Sequence, residues 1–167
     1  MKHKNRKNIR WRTWDYRWDG AYFITICTTN REHFFGHIHN DEMVLSNTGI
    51  LADVFWYEIK HHAKHITLDA FVVMPNHIHG ILILEGNILD DIITSENRFQ
   101  NIGKNSISSI LGSYKSAVTK HANRLGFESS WQVRFHDHII RNEKSFNRIQ
   151  NYIINNPKNW KDDCFFK

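Results

Sequence analysis

The sequence predicts an α+β fold with a ferredoxin-like antiparallel sheet and helices packed mainly on one face. Runs rich in β-branched and aromatic residues alternate with helical segments in the order strand, helix, strand, strand, helix, strand, helix. The two central apolar runs are joined only by Pro75-Asn76, which predicts an antiparallel hairpin. Two β-α-β halves that meet in such a hairpin form a ferredoxin-like sheet, so we expect the second hairpin strand to lie mid-sheet.

The first half of the chain supplies three of the strands and one helix. Aromatic and β-branched residues mark the strands, and a serine or asparagine followed by apolar residues at helical spacing marks the helix. The predicted elements are a core strand over Tyr22 to Thr28, a hairpin or extended arm over 31–45, a helix from Ser46 or Asn47 to about His62, and strands over Ile66 to Met74 and from His77 to Leu84.

The second half supplies two helices and one strand. Serines open the first helix and a glycine ends it, while a proline stops the last helix because the residue before proline disfavours helical geometry. The predicted elements are a helix from about Ser106 to Leu125 ended by Gly126, a short strand over Phe135 to Ile140, and a helix from Glu143 that stops before Pro157.

Length and composition indicate one domain. A chain of 167 residues fits a single core, and we assign residues 19–167 to it, with a basic aromatic arm over 1–18 and a polar insertion loop over 85–105. No apolar run approaches the ~20 residues needed to span a bilayer, and the basic start lacks a secretory apolar segment. We therefore expect a cytoplasmic, nucleoid-associated protein with no membrane contact. The net charge of +5 favours nucleic acid as the partner.

The strand that starts with His77-Ile78-His79 carries the first chemical signal. Side chains alternate along a strand, so the two histidines share one face while Ile78 points into the opposite layer. Two neighbouring imidazoles on a rigid strand make half of a divalent-metal site. The alternative is a pair of solvated histidines at a strand edge. The Pro-Asn turn before them and the apolar run after them favour the metal site.

The last helix offers a third metal ligand and a nucleophile. Tyr152 and Asn156 are four residues apart and share a helix face, so both can project at the sheet. The amide oxygen of Asn156 can serve as a third metal ligand, and the phenol of Tyr152 can serve as a nucleophile. Imidazole and amide-oxygen ligands suit Mg²⁺ or Mn²⁺ as well as Zn²⁺. Because the set contains no cysteine or carboxylate and phosphate oxygens are available, Mg²⁺ or Mn²⁺ is favoured. Tyr114 is the rival nucleophile, and the alternative for Tyr152 is a core tyrosine.

Other polar clusters carry weaker signals. The second histidine pair, His37 and His39, has the flanks of a short surface strand and is interpreted as solvated. His61, His62 and His65 follow the end of a helix, where cations are favourable. Basic and aromatic side chains suited to phosphate contact and base stacking are predicted DNA contacts, with a solvated surface as the alternative. These residues are Arg10, Arg12, Trp14, Lys115, Lys120, Arg134 and Arg141.

Several of these motifs together resemble one family. Met74-Pro75-Asn76-His77-Ile78-His79 resembles the HUH motif of the IS200-like transposases, and more narrowly of the REP-associated tyrosine transposases. The segment from Trp131 to Asn142 resembles the family's "WQ.RF..H.IRN" block, and Tyr152-Ile153 with Asn156-Pro157 resembles its "YI..NP" helix. Further similarity lies in the first strand and in Phe35-Gly36. The joint match covers most of residues 20 to 160.

The resemblance implies a metal-dependent endonuclease and strand transferase that acts on single-stranded DNA. It implies that Tyr152 attacks a DNA phosphate and forms a 5′-phosphotyrosine link, and that His77, His79 and Asn156 hold the metal. It also implies a hairpin-bearing substrate of REP-like or transposon-end sequence, and is compatible with a homodimer as well as a monomer. The polar segment 85–105 departs from the family's core.

Two other functions fit the same residues. A module that binds structured DNA or RNA without cutting would need only the basic and aromatic surface. A metallohydrolase would use His77 and His79 to activate water and Tyr152 to position the substrate, but the sequence offers no obvious general base for it.

Overall fold

The structure is a computed structural model and describes residues 20–85 and 106–166. Six strands and three helices are found in these residues, with short 3₁₀ turns at Thr29–Arg31 and Trp160–Asp162. The elements are β1 (Gly20–Cys27), β2 (Gly36–His39), β3 (Glu42–Leu45), α1 (Asn47–His62), β4 (Ile66–Met74), β5 (His77–Leu84), α2 (Ile107–Leu125), β6 (His136–Ile140) and α3 (Glu143–Asn155). The predicted arm over 1–18 and all but the first residue of the predicted loop over 85–105 lie outside the described residues.

The main sheet has four antiparallel strands in the order β4-β5-β1-β6. This is the ferredoxin-like order, and it confirms the predicted α+β fold. The histidine strand β5 lies between β4 and β1, mid-sheet as predicted. The predicted arm after β1 is a separate two-stranded hairpin of β2 and β3.

Alternation along the strands divides the sheet into two different faces. Tyr22 and Ile24 of β1 share one face with Ile78 and Leu82 of β5, and all four are buried in the larger core. Helices α1 and α2 cover this face. Trp56 of α1 lies in this core, stacked on the ring of Phe71. Two of the three helices therefore pack on one face, in agreement with the prediction.

Helix α3 packs on the opposite face. Its apolar residues Phe146, Ile149 and Ile153 meet Ile81 of β5 in a second, smaller core. His77 and His79 alternate with Ile78, so they point to this face. The sequence pattern that buries Ile78 against α1 and α2 thus directs both imidazoles toward the helix that carries Tyr152.

The helix ends agree with the sequence signals. The Ser46 side chain accepts a hydrogen bond from the backbone of Gly49, and that of Ser106 accepts one from Ser109. Gly126 caps α2 with a φ of 76°, a left-handed conformation that glycine adopts without steric cost. Satisfied helix ends fix where each helix starts and stops. Among the described helices, none is long and apolar enough to cross a membrane.

Candidate active site

Two buried imidazoles form the floor of the site. His77 and His79 are 0% and 1% exposed, and their ring centroids lie 4.5 Å apart. Burial, together with the neighbouring His79, lowers the pKa of His77 well below its usual value. Burial also lowers the pKa of His79 to about 4. Both rings are therefore neutral near pH 7 and keep a lone pair for a ligand bond.

Hydrogen bonds fix the direction of the His77 ring. Its Nδ1 lies 2.9 Å from Oδ1 of Asn76, whose own Nδ2 donates to the carbonyl of Phe165 at 2.9 Å. The bond to Phe165 uses the Asn76 nitrogen, so the Asn76 oxygen faces the ring. Since that oxygen can only accept, Nδ1 of His77 is the donor. The lone pair then sits on Nε2, which is buried and has no hydrogen-bond partner among the described residues. This is the state of a histidine prepared to bind a cation.

His79 is fixed by the neighbouring strand. Thr25 of β1 stands opposite His79 in the sheet, and its hydroxyl lies 2.8 Å from Nδ1. Nε2 of the same ring points toward α3. The ring also packs against Phe23, with centroids 5.1 Å apart.

Tyr152 of α3 reaches the histidine pair. Its hydroxyl lies 3.3 Å from Nε2 of His79, and its ring packs edge-on against Phe23. The side chain is 40% exposed, so a substrate can approach the hydroxyl from solvent. The predicted nucleophile and the predicted metal-binding histidines therefore lie together in one molecule.

Asn156 lies one residue past the end of α3, on the same side as Tyr152. The side chain is 1% exposed, and its Nδ2 donates to Oδ2 of Asp163 at 2.7 Å. Its Oδ1 is buried without a hydrogen-bond partner among the described residues. Nε2 of His77 and Oδ1 of Asn156 are thus two buried acceptors that lack a donor. Buried acceptors without a partner cost free energy. A divalent cation bound to both atoms would remove this cost, so this pair of ligand atoms fits such an ion.

Asp163 is a site residue that the sequence pattern did not indicate. Its Oδ2 accepts hydrogen bonds from the Tyr152 hydroxyl at 3.0 Å and from Asn156. His77, His79 and Asp163 offer ligand atoms within 4.8 Å of one another and could hold a metal ion. The only signal available was the acidic pair Asp162-Asp163 in the aromatic tail, and no periodicity links that pair to the histidines.

The surroundings of Tyr152 keep its hydroxyl protonated. Burial is the largest cause, and the charge and hydrogen bond of Asp163 add to it, so the pKa of Tyr152 lies above its usual value. A nucleophilic role therefore requires that the proton is removed during the reaction.

The chain is similar to known proteins in sequence and in fold. No family model matches the sequence. The chain is 36% identical over 168 residues to an uncharacterized protein of Haemophilus influenzae, a match that covers 97% of this chain and 93% of that protein. It is 30% identical over 109 residues to the REP-associated tyrosine transposase of Escherichia coli, covering 60% of this chain and 54% of the transposase.

A solved structure shares the fold. A REP-associated tyrosine transposase bound to a REP hairpin superposes with a TM-score of 0.59 and 22% sequence identity, over 96% of this chain and 74% of that one. The chain therefore resembles REP-associated tyrosine transposases, in sequence over part of its length and in fold over nearly all of it. The predicted family resemblance is confirmed.

The rival tyrosine, Tyr114, has a different environment. Tyr114 is 3% exposed between α1 and α2, and its hydroxyl donates to the carbonyl of Ala52 at 2.8 Å. Burial raises its pKa well above the usual value. It lies in the core on the face opposite the histidines, as expected for a structural tyrosine.

The predicted DNA contacts are scattered in the fold. Lys115 donates to the carbonyls of Gln132 and Val133 at 2.6 and 3.2 Å, so it holds the loop before β6. Lys120 is exposed on α2, which covers the face opposite the histidines. Arg134 and Arg141 are exposed at the two ends of β6, and each has an interaction within the protein. Three further predicted contacts lie outside the described residues, namely Arg10, Arg12 and Trp14.

The histidines of β2 and those around the end of α1 are exposed. His37 and His39 project from β2 into solvent, and His61, His62 and His65 surround the end of α1. Their exposure agrees with the solvated interpretation. In the part of the chain that the structure describes, the only group of three or more His, Cys, Asp or Glu able to hold a metal is the one at β5.

Proposed function

We propose that this chain is a metal-dependent endonuclease and strand transferase that cuts single-stranded DNA through Tyr152. One observation carries the proposal: the Tyr152 hydroxyl lies 3.3 Å from Nε2 of His79, beside a second buried imidazole. A nucleophile next to two neutral, oriented histidines suits phosphoryl transfer. The sequence similarity to a REP-associated tyrosine transposase over part of the chain supports this chemistry.

The metal would be Mg²⁺ or Mn²⁺, held by His77, His79 and Asn156. The two unpartnered buried acceptors, Nε2 of His77 and Oδ1 of Asn156, support these ligands. When bound, such an ion would polarise a phosphoryl oxygen and neutralise negative charge in the transition state.

Tyr152 would perform the bond-forming step. Its hydroxyl, which is exposed to solvent, gives up a proton to water, and the phenolate oxygen attacks a backbone phosphorus. The new bond joins Tyr152 to the 5′ side of the break, while the bond to the 3′ oxygen breaks and that oxygen takes a proton. The free 3′-hydroxyl can attack the phosphotyrosine in reverse, which rejoins strands and makes the protein a transferase.

The substrate would be single-stranded DNA with a hairpin, of REP-like or transposon-end sequence. The Escherichia coli relative is named a REP-associated tyrosine transposase, and the structural neighbour is bound to a REP hairpin. The net charge of +5 supports a nucleic acid partner. Because Tyr152 and the histidines meet within one molecule, we infer that a monomer can cut without a partner's tyrosine.

A labelled single-stranded hairpin tests the proposal. Incubation with Mn²⁺ should give a covalent protein–DNA adduct that survives denaturing electrophoresis. Tyr152→Phe should abolish the adduct, because the ring packing is kept and only the nucleophile is lost. Tyr114→Phe is the matched control and should form the adduct at close to the normal rate. Full adduct formation by Tyr152→Phe would overturn the assignment.

A DNA- or RNA-binding module that does not cut is the second candidate. The raised pKa of Tyr152 and its hydrogen bond to Asp163 favour it, since both keep the nucleophile protonated. It predicts binding to hairpins that weakens with salt, with no metal requirement and no adduct. The adduct assay separates it from the nuclease.

A further inference from the structure

We propose that Asp163 is a carboxylate ligand of the metal centre, a fourth protein ligand beside His77, His79 and Asn156. The proposal rests on the metal-dependent function proposed above and adds to it a residue from outside the histidine strand and the tyrosine helix. Asp163 lies in the segment that follows Pro157, far from His77 in the sequence.

The geometry brings the carboxylate to the histidines. One oxygen of Asp163 and one nitrogen from each of His77 and His79 lie within 4.8 Å of one another. Asp163 is half-buried, whereas the adjacent Asp162 is exposed. The two neighbouring carboxylates therefore have different environments, and only one of them faces the site.

Two further groups around Asp163 are prepared for a cation. Nε2 of His77 and Oδ1 of Asn156 are buried acceptors that have no hydrogen-bond partner among the described residues, and the two side chains are 0% and 1% exposed. Nδ2 of Asn156 donates to Asp163, so the two side chains are held side by side. A cation placed among these groups would satisfy both unpaired acceptors at once.

The backbone holds the carboxylate in place before any ion binds. Oδ1 of Asp163 accepts from the backbone of Phe165 at 2.7 Å. The Phe165 carbonyl accepts from Asn76, and the Cys164 carbonyl accepts from Arg31 at 2.9 Å. Asn76 is also the residue that orients His77, so one side chain positions both ligands. A pre-positioned ligand loses little conformational freedom when the ion binds.

Charge supports a ligand role for this residue. Two neutral imidazoles and an amide carry no charge, so a buried divalent ion would be left uncompensated by the other three ligands. Asp163 adds one negative charge and a hard oxygen, the ligand type that Mg²⁺ and Mn²⁺ prefer. The carboxylate has about four lone-pair positions, so it can bind the ion and still accept from Tyr152.

Isothermal titration of the full chain with Mn²⁺, in the absence of DNA, tests the proposal. Asp163→Asn should lower the Mn²⁺ affinity by about 10-fold or more, in line with the effect of losing groups that support a metal site. Asp162→Asn removes the same charge one residue away and should leave the affinity within about twofold of the normal value, because an exposed charge is screened.

Two control measurements show whether a loss of affinity comes from the ligand itself. Thermal unfolding in a chelator should show that Asp163→Asn is folded, since asparagine keeps an oxygen that can accept from Phe165. His77→Ala should abolish Mn²⁺ binding. If it does so while Asp163→Asn binds normally, Asp163 is not a ligand and the proposed function stands. If the unmodified chain binds no Mn²⁺, both the ligand and the metal-dependent function are wrong.

Discussion

Two tyrosines of this chain, Tyr114 and Tyr152, have opposite environments. Tyr114 is enclosed between α1 and α2 with its hydroxyl bonded to a helix carbonyl, whereas Tyr152 is 40% exposed beside His79. The two histidine pairs also differ in burial. His37 and His39 are exposed on β2, while His77 and His79 are buried on β5 and have lowered pKa values. The same residue type therefore differs in solvent exposure and hydrogen bonding according to its place in the fold.

Removal of the hydroxyl that orients His79 should weaken metal binding. The Thr25 hydroxyl lies 2.8 Å from Nδ1 of His79, and groups in this position typically contribute a factor of 10 to 100 to metal affinity. Thr25→Val keeps the side-chain volume and should lower Mn²⁺ affinity by about 10-fold, measured by isothermal titration. Thr25→Ser retains the hydroxyl and should bind nearly normally. Normal binding by Thr25→Val would mean that the threonine does not orient the ring.

Strand β5 depends on one glycine for its position. A Cβ atom at Gly80 would lie 2.3 Å from Cζ2 of Trp56, because the indole packs directly on the strand backbone. Trp56 in turn stacks on Phe71 with centroids 4.4 Å apart. Gly80 directly follows His79, so the packing of α1 on one face of the sheet supports the imidazoles on the other.

Substitution of this glycine should destabilise the fold. Gly80→Ala forces the Trp56 ring or the strand to shift and should lower the free energy of unfolding by about 1–3 kcal/mol, the usual cost of overpacking. Gly112→Ala in α2 is the control, since its Cβ would meet no atom within 4 Å. It should raise stability by roughly 0.5–1 kcal/mol, because alanine favours helix over glycine. Urea denaturation measures both, and equal effects would contradict the packing argument.

Most of the fold was predictable because local signals and packing agree. Ile78 between two histidines fixes which face of β5 is apolar, and the caps at Ser46 and Gly126 fix the helix ends. Helical spacing predicts that Tyr152 and Asn156 lie on the same side of the last helix, and in the structure both donate hydrogen bonds to Asp163. Periodicity predicts such relations because it is a property of a single element.

Asp163 could not be predicted in this way. It follows α3 and Pro157 in a segment with one short 3₁₀ turn, and its contacts with the site depend on how the segment folds back. Hydrogen bonds from Arg31 to the Cys164 carbonyl and from Asn76 to the Phe165 carbonyl hold this segment against the site. A sequence contains no local pattern for contacts between residues this far apart, so the site as a whole is a property of the complete molecule.

Metal binding should stabilise the whole molecule if the site joins distant parts of the chain. At a Mn²⁺ concentration 100 times the Kd, mass action adds about 2.7 kcal/mol, which corresponds to a rise in Tm of about 5–10 °C for a chain of this size. His77→Ala should show no such rise. Differential scanning calorimetry with Mn²⁺ and with a chelator measures both, and an equal rise in the two proteins would place the ion elsewhere.

Mapping the covalent link tests the central claim, that Tyr152 is the nucleophile. The adduct formed on a hairpin substrate is trimmed with nuclease, digested with trypsin and analysed by mass spectrometry. Cleavage after Arg148 and Lys158 gives a peptide of residues 149–158 whose only tyrosine is Tyr152. We predict a nucleotide joined through a 5′-phosphate on this peptide. A nucleotide on the peptide of residues 105–115, which carries Tyr114, or a cut strand with no modified peptide, would contradict the account.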